Sequence, residues 1–283
     1  MFLICGTIPQ TEAGLILGRA NFDGRKLLIG DHEIPCTQGT AALISAACVI
    51  AECRGMPAPR VAVAGDVGEG TGSRRLYRYL IEHLPDAACD IVLLHYIMPI
   101  MGLMKKVCEA ARRCVKKPVM IADASSMYAA KAAGLAQQFD VFTPDLSEME
   151  FLADHDAVHP AYISHHLFRS EISRVPDLVR AAVEAGSMAR TVIIKGAVDH
   201  VVQNGKIIFT LNEPDLPQLE AIGGTGDTIS GMVGAFIAAG LSHRDAAIEA
   251  LTLNRKAGLA ANATAATKIR EIIAAIPQAM NRQ

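Results

Sequence analysis

The sequence predicts an α/β fold built on a mostly parallel β-sheet. Two observations carry that expectation. Short runs that are apolar on both faces alternate with longer, Ala-rich segments of helical period, and Gly, Pro or Asp closes most of the short runs. A strand covered by helices on both sides reads as a continuous apolar run, whereas a half-solvated strand alternates. The chain has 283 residues, 51% of them apolar, which is enough for one large core. No linker, repeat or low-complexity tract breaks the pattern, so a single domain over residues 1–283 is expected.

In chain order, the apolar runs predict strands at 2–5, 26–29, 61–64, 91–95, 119–122, 141–143 and 191–195. Helical periodicity predicts helices at 40–53, 74–83, 100–114, 126–136, 177–185, 227–239, 244–261 and 269–280. Residues 201–211 break the βα alternation. There Asn204-Gly205 separates two β-rich runs, the strongest short hairpin signal. Residues 155–176 are polar and irregular and read as a surface loop. The histidines in it, His155, His159, His165 and His166, lack the helix pattern that a zinc-binding i,i+4 pair would need.

Composition excludes several classes. The formal net charge is −2 with no basic run, so nucleic-acid binding is not expected. No apolar stretch reaches the roughly 18 residues of a membrane span, and the opening Met-Phe-Leu-Ile-Cys has no basic segment or cleavage site. A cytoplasmic location is expected, with self-association into a homo-oligomer left open. The seven cysteines include no Cys-x-x-Cys and sit mostly in apolar surroundings, so reduced, buried thiols are expected.

The chemistry is concentrated at Gly223-Gly224-Thr225-Gly226-Asp227, which opens an apolar helix. Glycine permits tight backbone geometry and close ligand approach. The first N–H groups of a helix lack intrahelical partners and lie at the positive dipole end, which makes an anion hole. A carboxylate at that mouth can accept a proton from an attacking hydroxyl. No Lys-Ser or Lys-Thr follows the turn, so this is not a Walker A loop. A glycine turn with Asp227 as an ordinary cap stays open on these residues alone. Gly65–Ser73 is also glycine-rich, but its spacing does not fit a dinucleotide fingerprint; a loop over the substrate side is the expected reading.

Gly-Thr-Gly-Asp-x-x-x-Gly ahead of an apolar helix resembles the signature of the ribokinase-like superfamily. Within it, the chain most resembles the ADP- or ATP-dependent NAD(P)H-hydrate dehydratases. Gly223–Asp227 is similar to their Gly-Gly-Thr-Gly-Asp, where sugar kinases usually carry Gly-Ala-Gly-Asp. Gly24–Gly30 followed by Gly39-Thr40-Ala41-Ala42-Leu43 resembles their early strand, loop and helix, and Met120–Ser125 resembles a strand ending in Asp-Ala-Asp-Ala. Phe142–Met149 resembles Leu-Thr-Pro-His-Pro-Gly-Glu-Met, Val192–Gly196 resembles the strand and Lys-Gly turn beside the nucleotide, and Ile269–Pro277 resembles the terminal helix. The chain departs from the pattern at Asp145-Leu146-Ser147 and at Ser125-Ser126.

The resemblance implies a ribokinase-like three-layer α/β/α sandwich that uses ATP or ADP with Mg²⁺. It implies Asp227 as catalytic base, with Gly224, Thr225 and Gly226 as the anion hole. Lys195, Gly196 and Asn254 would bind nucleotide, and Asp123, Thr143 and Asp145 would face a small-molecule substrate. Glu148 would orient metal-bound water. The implied activity is hydration repair of NAD(P)H, with a small-molecule kinase or a silent nucleotide binder as alternatives.

Overall fold

The computed structural model describes residues 1–157 and 174–281. His159, His165 and His166 lie outside the described residues, while His155 is exposed and pairs with Asp156. Among the described residues the strands form one eleven-stranded sheet in the order β11-β10-β9-β8-β7-β6-β1-β5-β2-β3-β4. Its middle is parallel: β5 (Arg60–Gly65), β1 (Phe2–Ile8), β6 (Ile91–His95), β7 (Val119–Asp123), β8 (Val141–Phe142) and β9 (Thr191–Ile194).

Successive residues of these strands serve opposite faces, as the period of two requires. Ile4, Val61, Val63, Ile91, Leu93 and Ile121 pack under α1 (Gly39–Cys53), α7 (Thr225–Ala238), α8 (His243–Ala260) and α9 (Ile269–Met280). Leu3, Cys5, Ala62, Val92, Leu94 and Met120 pack under α2 (Thr71–His83), α3 (Met101–Arg113), α4 (Ser125–Ala132), α5 (Leu146–Ala153) and α6 (Val175–Glu184). The result is the expected three-layer sandwich.

Both sheet margins turn antiparallel. On one side β10 (Asp199–Gln203) and β11 (Lys206–Leu211) form the expected hairpin. Asn204 and Gly205 both have positive φ, +50° and +75°, as a type I′ turn requires. On the other side β2 (Leu15–Phe22), β3 (Lys26–Ile29) and β4 (His32–Pro35) form a meander beside β5.

Three expectations are corrected. β2 and β4 were not anticipated, because margin strands alternate buried and exposed residues and lack the continuous apolar run used to find the others. α5 was also missed; a capping box at Asp145 and Glu148 starts it. α7 starts at Thr225, two residues before the expected Asp227. The cysteines are all free, and Cys5, Cys36, Cys48, Cys89 and Cys108 are buried. Among the described residues no helix is long and apolar enough to cross a membrane.

Candidate active site

The C-terminal ends of the parallel strands carry the polar residues, where open α/β sheets bind ligands. His95 ends β6 and Asp123 ends β7, and the two are direct register partners. Thr143 and Lys195 follow β8 and β9 directly. The ammonium of Lys195 donates to both carboxylate oxygens of Asp123, at 3.0 and 3.1 Å. Ser230 Oγ, from α7, lies 2.6 Å from Asp123 Oδ2 and 2.9 Å from Thr143 Oγ1. Asp123 is therefore held from two sides, and Thr143 is fully buried behind it.

α7 brings Asp227 to this edge. Gly224, its N-cap, has φ +102°, a conformation that disfavours any side chain. A Cβ on Gly223 would also meet Gln38 Oε1 at 2.7 Å, so the turn is pressed against the start of α1. That contact places the first N–H of α1 on the site: Gly39 N–H donates to Asp227 Oδ2 at 2.7 Å. His95 Nε2 lies 3.0 Å from Asp227 Oδ1, and His95 Nδ1 lies 2.9 Å from Thr40 Oγ1. Two helix N-termini and a buried imidazole thus converge on one carboxylate.

The electrostatics follow from these partners. Burial alone would raise the Asp227 carboxyl, but the His95 bond, Lys195 and the Gly39 N–H outweigh it and hold the group below the usual range. Burial disfavours the Lys195 charge, yet Asp123, Glu148 and Asp227 outweigh that and bind its proton more firmly than usual. Glu148 is pushed up to about 7, mainly by burial and then by the Asp123 charge. Its oxygens accept from the Asp145 N–H at 2.9 Å and the Tyr128 hydroxyl at 3.2 Å.

His95, Asp123 and Asp227 lie within 4.8 Å of one another, close enough to hold a cation. The Lys195 ammonium already spans both Asp123 oxygens, so this cluster carries its own positive charge.

A cavity of about 420 Å³ opens over the edge and is lined by Asp227, Gly226, Thr225, Lys195, Gly196, Asn254, Asp123, Asp145 and Glu148, among others. That volume suits a small-molecule or nucleotide site. Gly224 and Thr143 are not in its lining: the first shapes the turn, with Ala42 and Ile269 beneath it, and the second backs Asp123. The Thr225 hydroxyl points back to the carbonyls of Leu219 and Ile222, and its N–H donates to the Ile222 carbonyl at 3.4 Å, so both donors of that residue are turned onto the carbonyls of the turn itself. The aliphatic part of Lys195 lies over Gly226, where a Cβ would sit 3.6 Å from it.

Asn254 accepts from the Thr228 hydroxyl at 2.7 Å, and Gly196 is fixed by a bond from its N–H to Asp199 and by Arg255 on its carbonyl. The Gly65–Ser73 loop does not line the cavity; Asp66 accepts from Gly68, Gly70 and Ser73 and closes the loop on itself. Farther along α7, Gly234 lies against Phe2 and Leu93 of the sheet, and Gly231 abuts the Leu43 carbonyl of α1.

Sequence reasoning missed His95, Gly39, Thr40, Ser230 and Tyr96. Two signals were available: His95 ends an apolar strand just as Asp123 does, and Tyr96 follows it directly. Tyr96 takes φ +51°, lines the cavity and sets its ring edge-on to His95 at 4.2 Å. A polar or aromatic residue held in the left-handed region at a cavity mouth is a recurrent mark of a functional site.

The fold is that of the ribokinase-like enzymes. More narrowly, the chain belongs to the NAD(P)H-hydrate dehydratase family, whose profile matches residues 101–278. It is 36% identical over 221 residues to an uncharacterized protein of Methanocaldococcus jannaschii, covering 78% of this chain and 90% of that one. In fold it is similar to Bacillus subtilis YxkO, at a TM-score of 0.60 and 12% identity over 99% of this chain and 91% of that one. It is also similar to the pyridoxal kinase of Staphylococcus aureus in complex with ADP, at a TM-score of 0.54 and 14% identity, covering 91% and 88% of the two chains. At that identity the two structures speak for the fold alone.

Proposed function

We propose that the protein is a nucleotide-dependent phosphoryl-transfer enzyme acting in NAD(P)H-hydrate dehydration, with ATP or ADP as phosphoryl donor. The observation that carries this reading is the Asp227 carboxylate, held ionised at the N-terminus of α7 beside Lys195 and at the wall of the cavity. A substrate hydroxyl attacks the terminal phosphorus of the nucleotide. The new O–P bond forms as the bond to the leaving nucleotide breaks, and Asp227 takes the hydroxyl proton. The N–H groups of Gly226 and Asp227 and the Lys195 ammonium face the charge that develops on the transferred group. In dehydration the phosphate then departs with the C–O electron pair, the adjacent carbon gives up its proton to water, and the C–H electron pair becomes the double bond.

The lining suits a divalent cation. Asp145, Glu148, Asp215 and Glu220 add carboxylates to a cavity whose cations, Lys195 and Arg255, are already paired with Asp123 and Asp199. Glu148 and Asp145 would hold Mg²⁺, which would offset the phosphate charge.

A kinase for a small hydroxylated metabolite is the second reading. The substrate end favours it, because Asp145-Leu146-Ser147 stands where the family pattern has His-Pro-Gly, and Asp145 Oδ1 is taken by the Ser147 hydroxyl and the Glu148 N–H at the start of α5. The assay supplies hydrated NADH, Mg²⁺ and ATP or ADP and follows the return of NADH absorbance. Recovery supports dehydration. No recovery, with phosphorylation of an alcohol in a metabolite screen, moves the assignment to kinase. Asp227→Asn should lose roughly 10²–10⁴-fold in rate in either assay, and wild-type turnover in that variant would remove Asp227 as base.

A further inference from the structure

We propose that His95 is a positioning residue for Asp227, forming a Thr40–His95–Asp227 chain that aims the carboxylate at the cavity. The proposal deepens the phosphoryl-transfer reading and rests on it for its rate prediction.

The imidazole is fully buried, so each ring nitrogen needs a partner. It has two: Nδ1 is 2.9 Å from the Thr40 hydroxyl and Nε2 is 3.0 Å from Asp227 Oδ1. An ionised carboxylate only accepts, so Nε2 carries a hydrogen and donates it to Asp227. Nδ1 is then served by the Thr40 hydroxyl, and the ring cannot flip without losing both bonds. Thr40 is itself buried in the first turn of α1, next to Gly39, whose N–H holds Oδ2 of the same carboxylate. One oxygen of Asp227 is fixed by the sheet and the other by α1. The plane of the group is set, and one remaining lone-pair direction on each oxygen is left for a substrate proton.

The groups facing Asp227 are His95 from β6, Lys195 after β9, Asp123 from β7, Tyr96 after β6 and the Gly39 N–H from α1. Of these, His95 and the Gly39 N–H hydrogen-bond it. Removing the imidazole leaves Lys195 and Gly39 to hold the charge, and the carboxyl should rise toward its ordinary value.

Two variants and one spectroscopic measurement test the proposal. His95→Gln can place an amide N–H near the position of Nε2, and His95→Leu cannot. The expected result is that His95→Leu lowers kcat on the order of 10²-fold through misplacement of the base, with KM for nucleotide little changed. Its acid limb in the pH profile should move upward, and His95→Gln should restore most of the rate. Independently of any turnover, the carboxyl ¹³C signal of Asp227 followed against pH should titrate higher in folded His95→Leu than in the wild type. An unmoved Asp227 titration overturns the proposal, as does a Gln variant no better than Leu. A moved titration in a protein inactive with every donor and acceptor would sustain the His95 role and discard the phosphoryl-transfer reading. If His95→Leu fails to fold, the comparison of wild type with His95→Gln decides: a midpoint kept low in Gln supports the hydrogen bond as the cause, and a free midpoint opposes it.

Discussion

Glu148 is a residue whose charge the fold disfavours. Its carboxyl is pushed up to about 7, above its ordinary value in the unfolded chain, so between those values the folded protein binds a proton that the unfolded chain releases. The stability linked to that proton is complete below the unfolded value and is lost as pH rises through about 7. Ionisation of Glu148 therefore costs on the order of 1–3 kcal/mol at pH 8. Glu148→Gln can keep both bonds, accepting from the Asp145 N–H and donating to the Tyr128 oxygen. In EDTA the variant should melt above the wild type at pH 8 and level with it at pH 5. An unchanged pH 8 midpoint would sink the idea. The same substitution should weaken any Mg²⁺-dependent activity, which marks Glu148 as a site where function is kept against stability.

At the scale of elements, the meeting of α1 and α7 sets the site. A Cβ on Gly231 would fall 2.0 Å from the Leu43 carbonyl, a backbone atom that cannot step aside. Alanine gains about 1 kcal/mol of helix propensity over glycine, but overpacking of this kind costs about 1–3 kcal/mol or more. Gly231→Ala should therefore lower stability by about 2 kcal/mol and shift the two helix starts apart. Gly102, in α3, has nothing within 4 Å of a Cβ. Gly102→Ala should stabilise by about 0.4–1 kcal/mol. Chemical denaturation of both variants checks the pair, and a neutral Gly231→Ala would show that the contact is not rigid. The glycine turn and its helix were legible because their signal is local. The partners of Asp227 were not, because Gly39 is 188 residues away and His95 is 132 away, and only the strand order brings them together. The same holds for Lys195 and Asp123, each visible at a strand end but paired across β8. The margins β2 and β4 were illegible for another reason: half-exposed strands carry no apolar run.

For the whole molecule, ligand binding should be readable as stability. A nucleotide that binds only the folded state at 100 times its Kd adds about 2.7 kcal/mol, or roughly 5 °C in a chain of this size. Millimolar ATP or ADP with Mg²⁺ should raise the melting midpoint by that order. EDTA should shrink the shift, since the unpaired carboxylates of the cavity would then face bare phosphates. A flat response to both nucleotides with Mg²⁺ present would count against nucleotide binding altogether. The cavity lies at the strand ends, and Leu219 and Ile229 of one core reach its wall.

The strand register has a consequence for how such a site changes over time. His95 and Asp123 stand on neighbouring strands in matched register, and Lys195 stands two strands beyond Asp123's. Their spacing is that of the backbone ladder, about 4.8 Å per strand, and owes nothing to the side chains themselves. The sheet acts as a ruler whose marks persist when what is mounted on them is exchanged. A descendant of this chain could acquire a different chemistry by substitutions at three strand ends, leaving every buried layer behind them as it was.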